Sequence, residues 1–318
     1  MEIFISILES VGVLLGLGCL GFYIIGKRIM PGNVLGFLAP LVLDIALPCL
    51  IFVSILQKFT LQQFPDWWKV PLWWGLFTVV VLVLSLAARY VSQRETRREF
   101  AVSLFYQNGI FFPLAIITGL YGADSSHLVT LFLFISFHPA LMFSTYHFFY
   151  RDKEAHTIDL KKIVHPVLIM TLLALFLRLF DAHTLVPNFV LSGFSMLGAM
   201  SLPLIMIILG GNIFLDFRGK GSLHIGEAMK FVAVKNFLFP LIMLGLLLLV
   251  QPPYHIAMII FLQSAVPPIT AIPIFTKRLG GNSAITNQFI VSSYICLLIS
   301  LPIMFSLFNR YFPEVVVS

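Results

Sequence analysis

The sequence predicts an all-α membrane protein in which ten transmembrane helices form two inverted five-helix repeats, with helices 4 and 9 broken. Three observations lead to this fold class: the composition, the distribution of charge between loops, and a similarity between the two halves of the chain. Of the 318 residues, 59% are hydrophobic and 11% are charged, whereas soluble domains carry about 25% charged residues. Such a chain needs lipid around most of its surface, which excludes a compact soluble domain.

Ten apolar blocks, separated by polar or turn-forming segments, predict the individual helices. A helix needs about 20 residues to cross the hydrocarbon core, and ten such blocks use most of the chain. The sixth block is the shortest and contains Arg178. The predicted spans are 4–25, 34–56, 70–91, 100–121, 126–149, 164–180, 189–214, 229–250, 255–276 and 284–309.

The basic residues mark one side of the membrane. Fifteen of the 20 lysines and arginines fall in odd-numbered loops, and the net charge is +6. Because cytoplasmic loops carry an excess of lysine and arginine, we expect the odd loops inside and both termini outside the inner (plasma) membrane. Positive charge in this arrangement orients a membrane protein and does not indicate a nucleic-acid partner. Four tryptophans between Trp67 and Trp74 are typical of an outer aromatic belt.

The two halves of the chain are similar at a spacing of about 155 residues. The segment around Pro48 aligns with the segment around Pro203, and the one from Phe100 aligns with the one from Ile256 at five identities in 17 positions. Each half has an odd number of spans, so the second half must enter the membrane inverted. Inverted repeats place a substrate site near the midplane. The predicted repeats are residues 1–153 and 160–318.

The fourth and ninth spans contain residues that interrupt a helix. Proline removes a backbone donor and glycine permits a sharp change of direction. Irregular backbone at membrane depth is stable only where it is buried in protein or lines a cavity. Ordinary proline kinks are the alternative interpretation. The breaks are predicted around Asn108, Gly109 and Pro113 in the fourth span and around Pro267, Pro268 and Pro273 in the ninth.

Three motifs make the chain similar to the auxin efflux carrier family, which includes plant auxin carriers and bacterial permeases proposed to move dicarboxylates. The motifs are IALPCLIF in the second span, the polar segment before Pro113, and the run from Ser264 to Phe305. The resemblance is to the bacterial permease branch and covers essentially the whole chain. One departure is Phe111-Phe112, where bacterial relatives usually have a glycine shortly before the proline and plant relatives an asparagine beside it.

The resemblance implies a secondary transporter that moves a small organic anion, such as a carboxylate, by alternating access. Its fold is that of bile acid/sodium symporter-like transporters, in which helices 4 and 9 cross at the substrate site. A scaffold of spans 1, 2, 6 and 7 then faces a mobile core of spans 3–5 and 8–10. Relatives in the wider fold include dimers, so a homodimer is among the expected partners, besides the substrate and membrane lipid.

Substrate contacts are expected at the two breaks. The amide of Asn108 can donate to a carboxylate beside half-helix N-termini, whose positive dipole ends favour anions, although it could instead cap the broken helix. Gln107 and Gln263 occupy equivalent positions in the two repeats, and interhelical hydrogen bonding is their alternative role. The predicted substrate-binding residues are Gln107, Asn108, Gly109, Gln263, Ser264 and Thr270, and Pro113, Pro267, Pro268 and Pro273 are expected to shape the crossover.

Three ionisable residues inside predicted spans are candidates for proton coupling or for a charge that acts on the substrate. Asp44 is a candidate for proton coupling, with a static polar contact as the alternative, because a carboxylate in a membrane helix is costly unless it is paired, protonated or hydrated. Lys235 is expected to attract an anionic substrate, to neutralise a carboxylate or to reach the interface by snorkelling. His138 is a candidate proton relay, with a structural hydrogen-bonded histidine as the alternative. The cysteine and histidine spacings indicate no metal site, and we expect no catalytic residues and no cofactor.

Other functions remain open from the residues. A sodium-coupled symporter of the bile acid type uses a carboxylate near the second crossover, and the chain has no acidic residue between Ile256 and Lys277. A passive channel and a membrane ligand sensor are also open. Flux through a channel does not saturate with substrate, and a sensor binds its ligand without transporting it. A membrane enzyme needs a reactive constellation such as H-E-x-x-H, and the sequence has none.

Overall fold

The computed structural model of the chain describes residues 2–150, 165–217 and 224–313. These residues are helical nearly throughout, and within them β-structure is confined to one isolated bridge. Six helical stretches are long and apolar enough to cross a membrane, which confirms an all-α, multi-pass membrane protein. They are Ile7–Gly26, Val34–Lys58, Trp67–Val91, Asn188–Leu215, Ile225–Val250 and Ser283–Tyr311.

The helices follow the order of the predicted spans. In the first half they are α1 (Glu2–Gly26), α2 (Val34–Pro40), α3 (Leu47–Lys58), α4 (Val70–Ala88), α5 (Arg97–Phe105), α6 (Phe111–Tyr121), α7 (His127–Ile135) and α8 (His138–Thr145). In the second half they are α9 (Pro166–Leu179), α10 (Asn188–Ala199), α11 (Ser201–Phe217), α12 (Ile225–Val232), α13 (Phe239–Val250), α14 (Tyr254–Ala265), α15 (Ile272–Arg278) and α16 (Ser283–Tyr311).

Two π-helical turns carry a long helix past a proline. The turn Leu41–Ala46 joins α2 to α3 just before Pro48, and the turn Ala233–Leu238 joins α12 to α13 just before Pro240. A proline ring clashes with the carbonyl four residues earlier and has no N–H to donate to it. Widening the helix by one residue at that carbonyl relieves the clash, so both spans continue without a break.

The fifth span differs from the sequence prediction. A continuous helix is expected over 126–149, but α7 ends at Ile135 and α8 begins at His138. Pro139 explains this interruption, because its ring excludes a regular helical turn back to the carbonyl of Ile135. The break places His138 at the start of α8, beside the interrupted fourth span.

The helices form two packed groups. One contains α1–α3 and α9–α11, in which α1 lies along α11 and α3 contacts α9 and α10. A Cβ atom on Gly21 would overlap the backbone of Ile207, and one on Gly210 would overlap the backbone of Gly18, so small residues allow α1 and α11 to approach closely. The other group contains α4–α8 and α12–α16, and α1 touches it at α6 and α16.

Candidate functional site

The two interrupted spans meet through their backbones. The N–H of Asn108 donates to the carbonyl of Pro267 at 2.8 Å, and the N–H of Ile269 donates to the carbonyl of Tyr106 at 2.9 Å. These bonds form an antiparallel bridge in which Gln107 faces Pro268. The two unwound segments therefore satisfy each other's backbone groups at a depth where water is scarce.

The proline in the second strand of this bridge lies at a position where no backbone N–H is needed. Gln107 and Pro268 form the pair that exchanges no hydrogen bonds of its own, because the ladder bonds run from the flanking residues. The missing N–H of Pro268 therefore leaves no carbonyl of the facing strand unpaired. Just upstream, the N–H of Val266 still donates to Leu262 at 3.0 Å and completes the last turn of α14.

Side-chain hydrogen bonds from both interrupted spans stabilise the crossing. The amide of Gln263 donates to the carbonyl of Gly109 at 2.6 Å, and the amide of Asn108 donates to the hydroxyl of Tyr294 at 2.9 Å. Gly109 is required here because a Cβ atom would overlap the Gln263 amide. All four residues are buried, so these bonds hold the crossing in one geometry.

A cavity of about 150 Å³ lies beside the crossing, between the two helix groups. Residues 108–111, which lead into α6, and residues 269–271, which lead into α15, form its wall on one side. Leu43, Leu47 and Met206 form part of the opposite, apolar wall. The N-terminal ends of two half-helices thus point toward one cavity, where the positive ends of their dipoles favour negative charge.

Two histidines contribute to this cavity. His138 is buried and bonded to the backbone of Gln107, and its Nε2 atom has no hydrogen-bond partner among the described residues. His165, which precedes α9, lines the cavity opposite and has its Nε2 3.6 Å from a carboxylate oxygen of Asp44. The unpartnered nitrogen of His138 is therefore available to a ligand.

Four of the predicted site residues line the cavity, and the others do not. The lining residues are Asn108, Gly109, Thr270 and His138. Gln263 instead holds Gly109, and the Ser264 hydroxyl donates to the carbonyl of Phe261 within its own helix. Gln107 is buried in the crossing, where its side-chain oxygen has no partner in the described part of the chain. The prolines shape the backbone: Pro113 and Pro273 lie in the first turns of α6 and α15, and Pro267 and Pro268 in the second break.

Lys235 lies at the back of the crossing rather than at an interface. It is 1% exposed, and its ammonium group donates to the carbonyl of Ser264 at 3.1 Å. That carbonyl belongs to the last turn of α14, where the negative end of the helix dipole favours a cation. Within the described residues, no carboxylate lies at ion-pair distance from Lys235. Snorkelling to the interface is therefore wrong for this residue.

Asp44 is located away from the crossing. It lies in the π-helical turn between α2 and α3, and its side chain is 51% exposed. Its only ion-pair contact within the described residues is the histidine at position 165. In the described residues, no group of three or more histidine, cysteine, aspartate or glutamate side chains could hold a metal ion.

Sequence reasoning missed two polar residues of the cavity, Asn212 and His165. Asn212 interrupts an apolar block of α11 after two glycines, and this pattern could have drawn attention to it. His165 lies in a polar stretch before α9, where no local pattern distinguishes it from a loop residue.

Comparison with known proteins assigns the chain to a family. The family model for membrane transport proteins matches residues 6–159 and 153–305, which together cover nearly the whole chain. The chain belongs to the auxin efflux carrier family. This family consists of transporters, not of enzymes. A comparison with curated proteins gives no match for this family member.

Proposed function

We propose that this family member is a secondary transporter that moves a small organic anion, such as a carboxylate, across the inner (plasma) membrane by alternating access. Family membership supports membrane transport. The observation that carries the substrate class is the cavity at which the starts of α6 and α15 converge with Asn108 and His138.

Several donors in and near the cavity favour an anion. The Asn108 amide carries two N–H bonds and uses one on Tyr294, which leaves the second for a ligand. His138 brings a buried nitrogen without a partner among the described residues, which donates only when the imidazole is protonated, and the positive ends of the two half-helix dipoles also face the cavity. Behind the crossing, the buried ammonium of Lys235 adds positive potential in a region of low dielectric.

The size and lining of the cavity favour a small substrate with an apolar body. An apolar cavity of about 150 Å³ accommodates a molecule the size of benzene, and the volume here is about 150 Å³. Phe111 lines the cavity, whereas Phe112 packs on Tyr294 with ring centroids 5.1 Å apart. The first phenylalanine of the pair therefore narrows the site and makes it more apolar, which favours a monocarboxylate over a strongly hydrated dicarboxylate.

Alternating access needs a site that two moving bodies share. We infer ten spans in two inverted repeats, residues 1–153 and 160–318, with a scaffold of spans 1, 2, 6 and 7 and a core of the remaining spans. Supporting this arrangement, the cavity has walls from both packed groups of helices. Both termini are proposed to lie outside the membrane, and a homodimer is the proposed assembly.

Proton linkage is part of the proposal. His138 can exchange a proton with a bound carboxylate through its unpartnered nitrogen. The pair of His165 and Asp44 forms a second protonation site on the scaffold wall of the same cavity. A gradient-driven carrier with these groups would accumulate substrate faster when a pH difference is imposed.

Uptake of labelled monocarboxylates and dicarboxylates into proteoliposomes tests the proposal. We expect saturable uptake that does not require sodium and that falls at least about 10-fold in Asn108→Ala, the loss expected for a buried hydrogen bond and a ligand contact. The control is Asn188→Ala, which removes an exposed asparagine at the start of α10. Unchanged uptake in Asn108→Ala removes the site, a sodium requirement indicates a symporter of the bile acid type, and flux without saturation indicates a channel.

A further inference from the structure

A second cavity lies outside the crossing, between α4, α5 and α8. Its volume is about 1090 Å³. One end is formed by four arginines, Arg89, Arg94, Arg97 and Arg98, and the remainder of the lining is mainly aliphatic and aromatic. We propose that this cavity binds an acidic phospholipid, with the phosphate on the arginines and an acyl chain along the apolar wall.

Within the described residues, the four arginines have no anionic partner. In residues 2–150, 165–217 and 224–313, none of the four guanidinium groups forms an ion pair with a carboxylate. Four cations within ten positions repel one another, and an anion between them relieves that repulsion. Arginine is suited to this role because its planar guanidinium can form two parallel hydrogen bonds with a phosphate.

Aromatic rings hold three of these side chains in place. The guanidinium carbons of Arg89 and Arg97 lie 4.9 Å and 5.0 Å from the centre of the Tyr90 ring. Arg98 lies 5.6 Å from the centre of the Tyr150 ring. Stacking fixes the plane of each guanidinium while leaving N–H groups at its edge free to bind, so the cluster is partly preorganised for a headgroup.

The apolar part of the cavity distinguishes a lipid from free phosphate. Val79, Leu82 and Leu86 follow one face of α4 toward Arg89. At 1.5 Å per residue this face extends about 15 Å from the first of them to the arginine, which suits much of an acyl chain. Val79 is 59% exposed and Leu86 38% exposed, so this wall is open to the surrounding lipid.

The location of the cavity matches the distribution of acidic lipids. Loop 3, which carries the arginines, belongs to the odd loops that the charge pattern places in the cytoplasm. The cytoplasmic leaflet is negatively charged, and basic pockets between transmembrane helices on that side bind acidic headgroups. A phosphate ion would use only the arginines and would leave the apolar wall uncovered.

The cavity also touches residues that support the first helix break. Phe105, the last residue of α5, lines it together with Thr145 and Phe149. The Thr145 hydroxyl lies 2.7 Å from the hydroxyl of Tyr106, whose carbonyl accepts from Ile269 at the crossing. A lipid in this cavity would therefore brace the wall behind the crossing, and its binding should raise the unfolding temperature.

The test measures phosphatidylglycerol binding to the purified full chain in mild detergent, by lipid titration and by thermal unfolding. We expect stabilisation by phosphatidylglycerol and much less by phosphatidylcholine. Arg94→Ala combined with Arg98→Ala should weaken phosphatidylglycerol binding about 30-fold, since each arginine near an acidic surface contributes about a fivefold factor. Both side chains are exposed, so this variant should fold.

The matched control is Lys277→Ala combined with Arg278→Ala, which removes two exposed basic residues from another odd loop and should leave binding unchanged. Leu82→Trp keeps every arginine but fills the space along the apolar wall. It should therefore reduce the binding of phospholipid and leave the binding of inorganic phosphate unchanged. Equal weakening in the two double variants would show nonspecific attraction and overturn the proposal. Stabilisation by inorganic phosphate that equals that of the lipid, and persists in Leu82→Trp, would identify a free phosphate site and also overturn it.

Discussion

Both helix breaks unwind a span at the crossing, but they are formed by different types of residue. Between α5 and α6 the chain unwinds at Asn108 and Gly109, whereas between α14 and α15 it unwinds at Pro267 and Pro268. The first break contributes a flexible backbone and a polar side chain to the cavity. The second contributes a rigid backbone and, through Thr270, one hydroxyl. The two breaks thus contribute different side chains to the cavity.

The ends of the half-helices before the two breaks also differ. The last turn of α14 receives the ammonium group of Lys235 on the carbonyl of Ser264. The position equivalent to Lys235 in the first half, at the spacing of about 155 residues, is Val80, which carries no charge. One positive charge therefore serves a crossing built from two breaks, and each break contributes one polar side chain to the cavity, Asn108 from the first and Thr270 from the second.

The largest effect is expected for Gly109→Ala. Its Cβ atom would displace the Gln263 amide from its bond to the carbonyl at position 109. Overpacking and the lost hydrogen bond together should cost about 2–4 kcal/mol of stability, with uptake nearly abolished. Thermal unfolding and proteoliposome uptake measure this. The control is Gly245→Ala in α13, where a Cβ atom meets nothing within 4 Å, and a similar loss there would contradict the assignment.

Asn108→Ala and Thr270→Ala compare the cavity side chains of the two breaks directly. Asn108 also holds Tyr294, so its removal leaves a buried hydroxyl without its donor and should reduce the initial uptake rate at least about 10-fold. Thr270→Ala should reduce uptake about threefold or less, because no side-chain bond of Thr270 to another described residue is seen. A larger loss in Thr270→Ala would assign the main binding role to the second break.

Lys235→Met separates stability from binding. A buried charge without a counter-ion is costly, so its replacement by methionine should leave the unfolding temperature little changed or raise it. The KM for the anionic substrate should rise about fivefold, because the positive potential behind the crossing is lost. Lys277→Met, at an exposed position, is the control and should leave KM unchanged. A KM that is also unchanged in Lys235→Met would limit this lysine to a structural role.

The smallest effect is expected for Pro268→Ala. The new N–H would face away from the strand that contains Gln107, since this pair exchanges no ladder bonds. An additional buried donor and a more flexible unfolded chain should cost about 1 kcal/mol or slightly more. Thermal unfolding checks this, with Pro253→Ala before α14 as a control outside the break. A stabilised Pro268→Ala variant would show that the proline strains the crossing.

Local chemistry made much of the architecture predictable. The composition leads to a membrane protein, the motifs lead to the family, and proline and glycine mark the breaks in the fourth and ninth spans. Pro139 would also have indicated the break between α7 and α8, because proline interrupts a helix. The prediction of one continuous helix over 126–149 used only the hydrophobicity of that block. Both π-helical turns of the described residues likewise precede a proline that is visible in the sequence.

The sequence by itself determined that the chain is a membrane protein, because this follows from its composition. It also determined that two spans are interrupted and which family the chain belongs to, because short segments carry both properties. Only the tertiary structure decided that Asn108 and Thr270 face the cavity, while Gln263 bonds across the crossing and Ser264 bonds within its own helix. An unwound segment has no fixed period that assigns its side chains to a face. Their direction is set by partners far away in the chain, such as Tyr294 for Asn108 and Gly109 for Gln263.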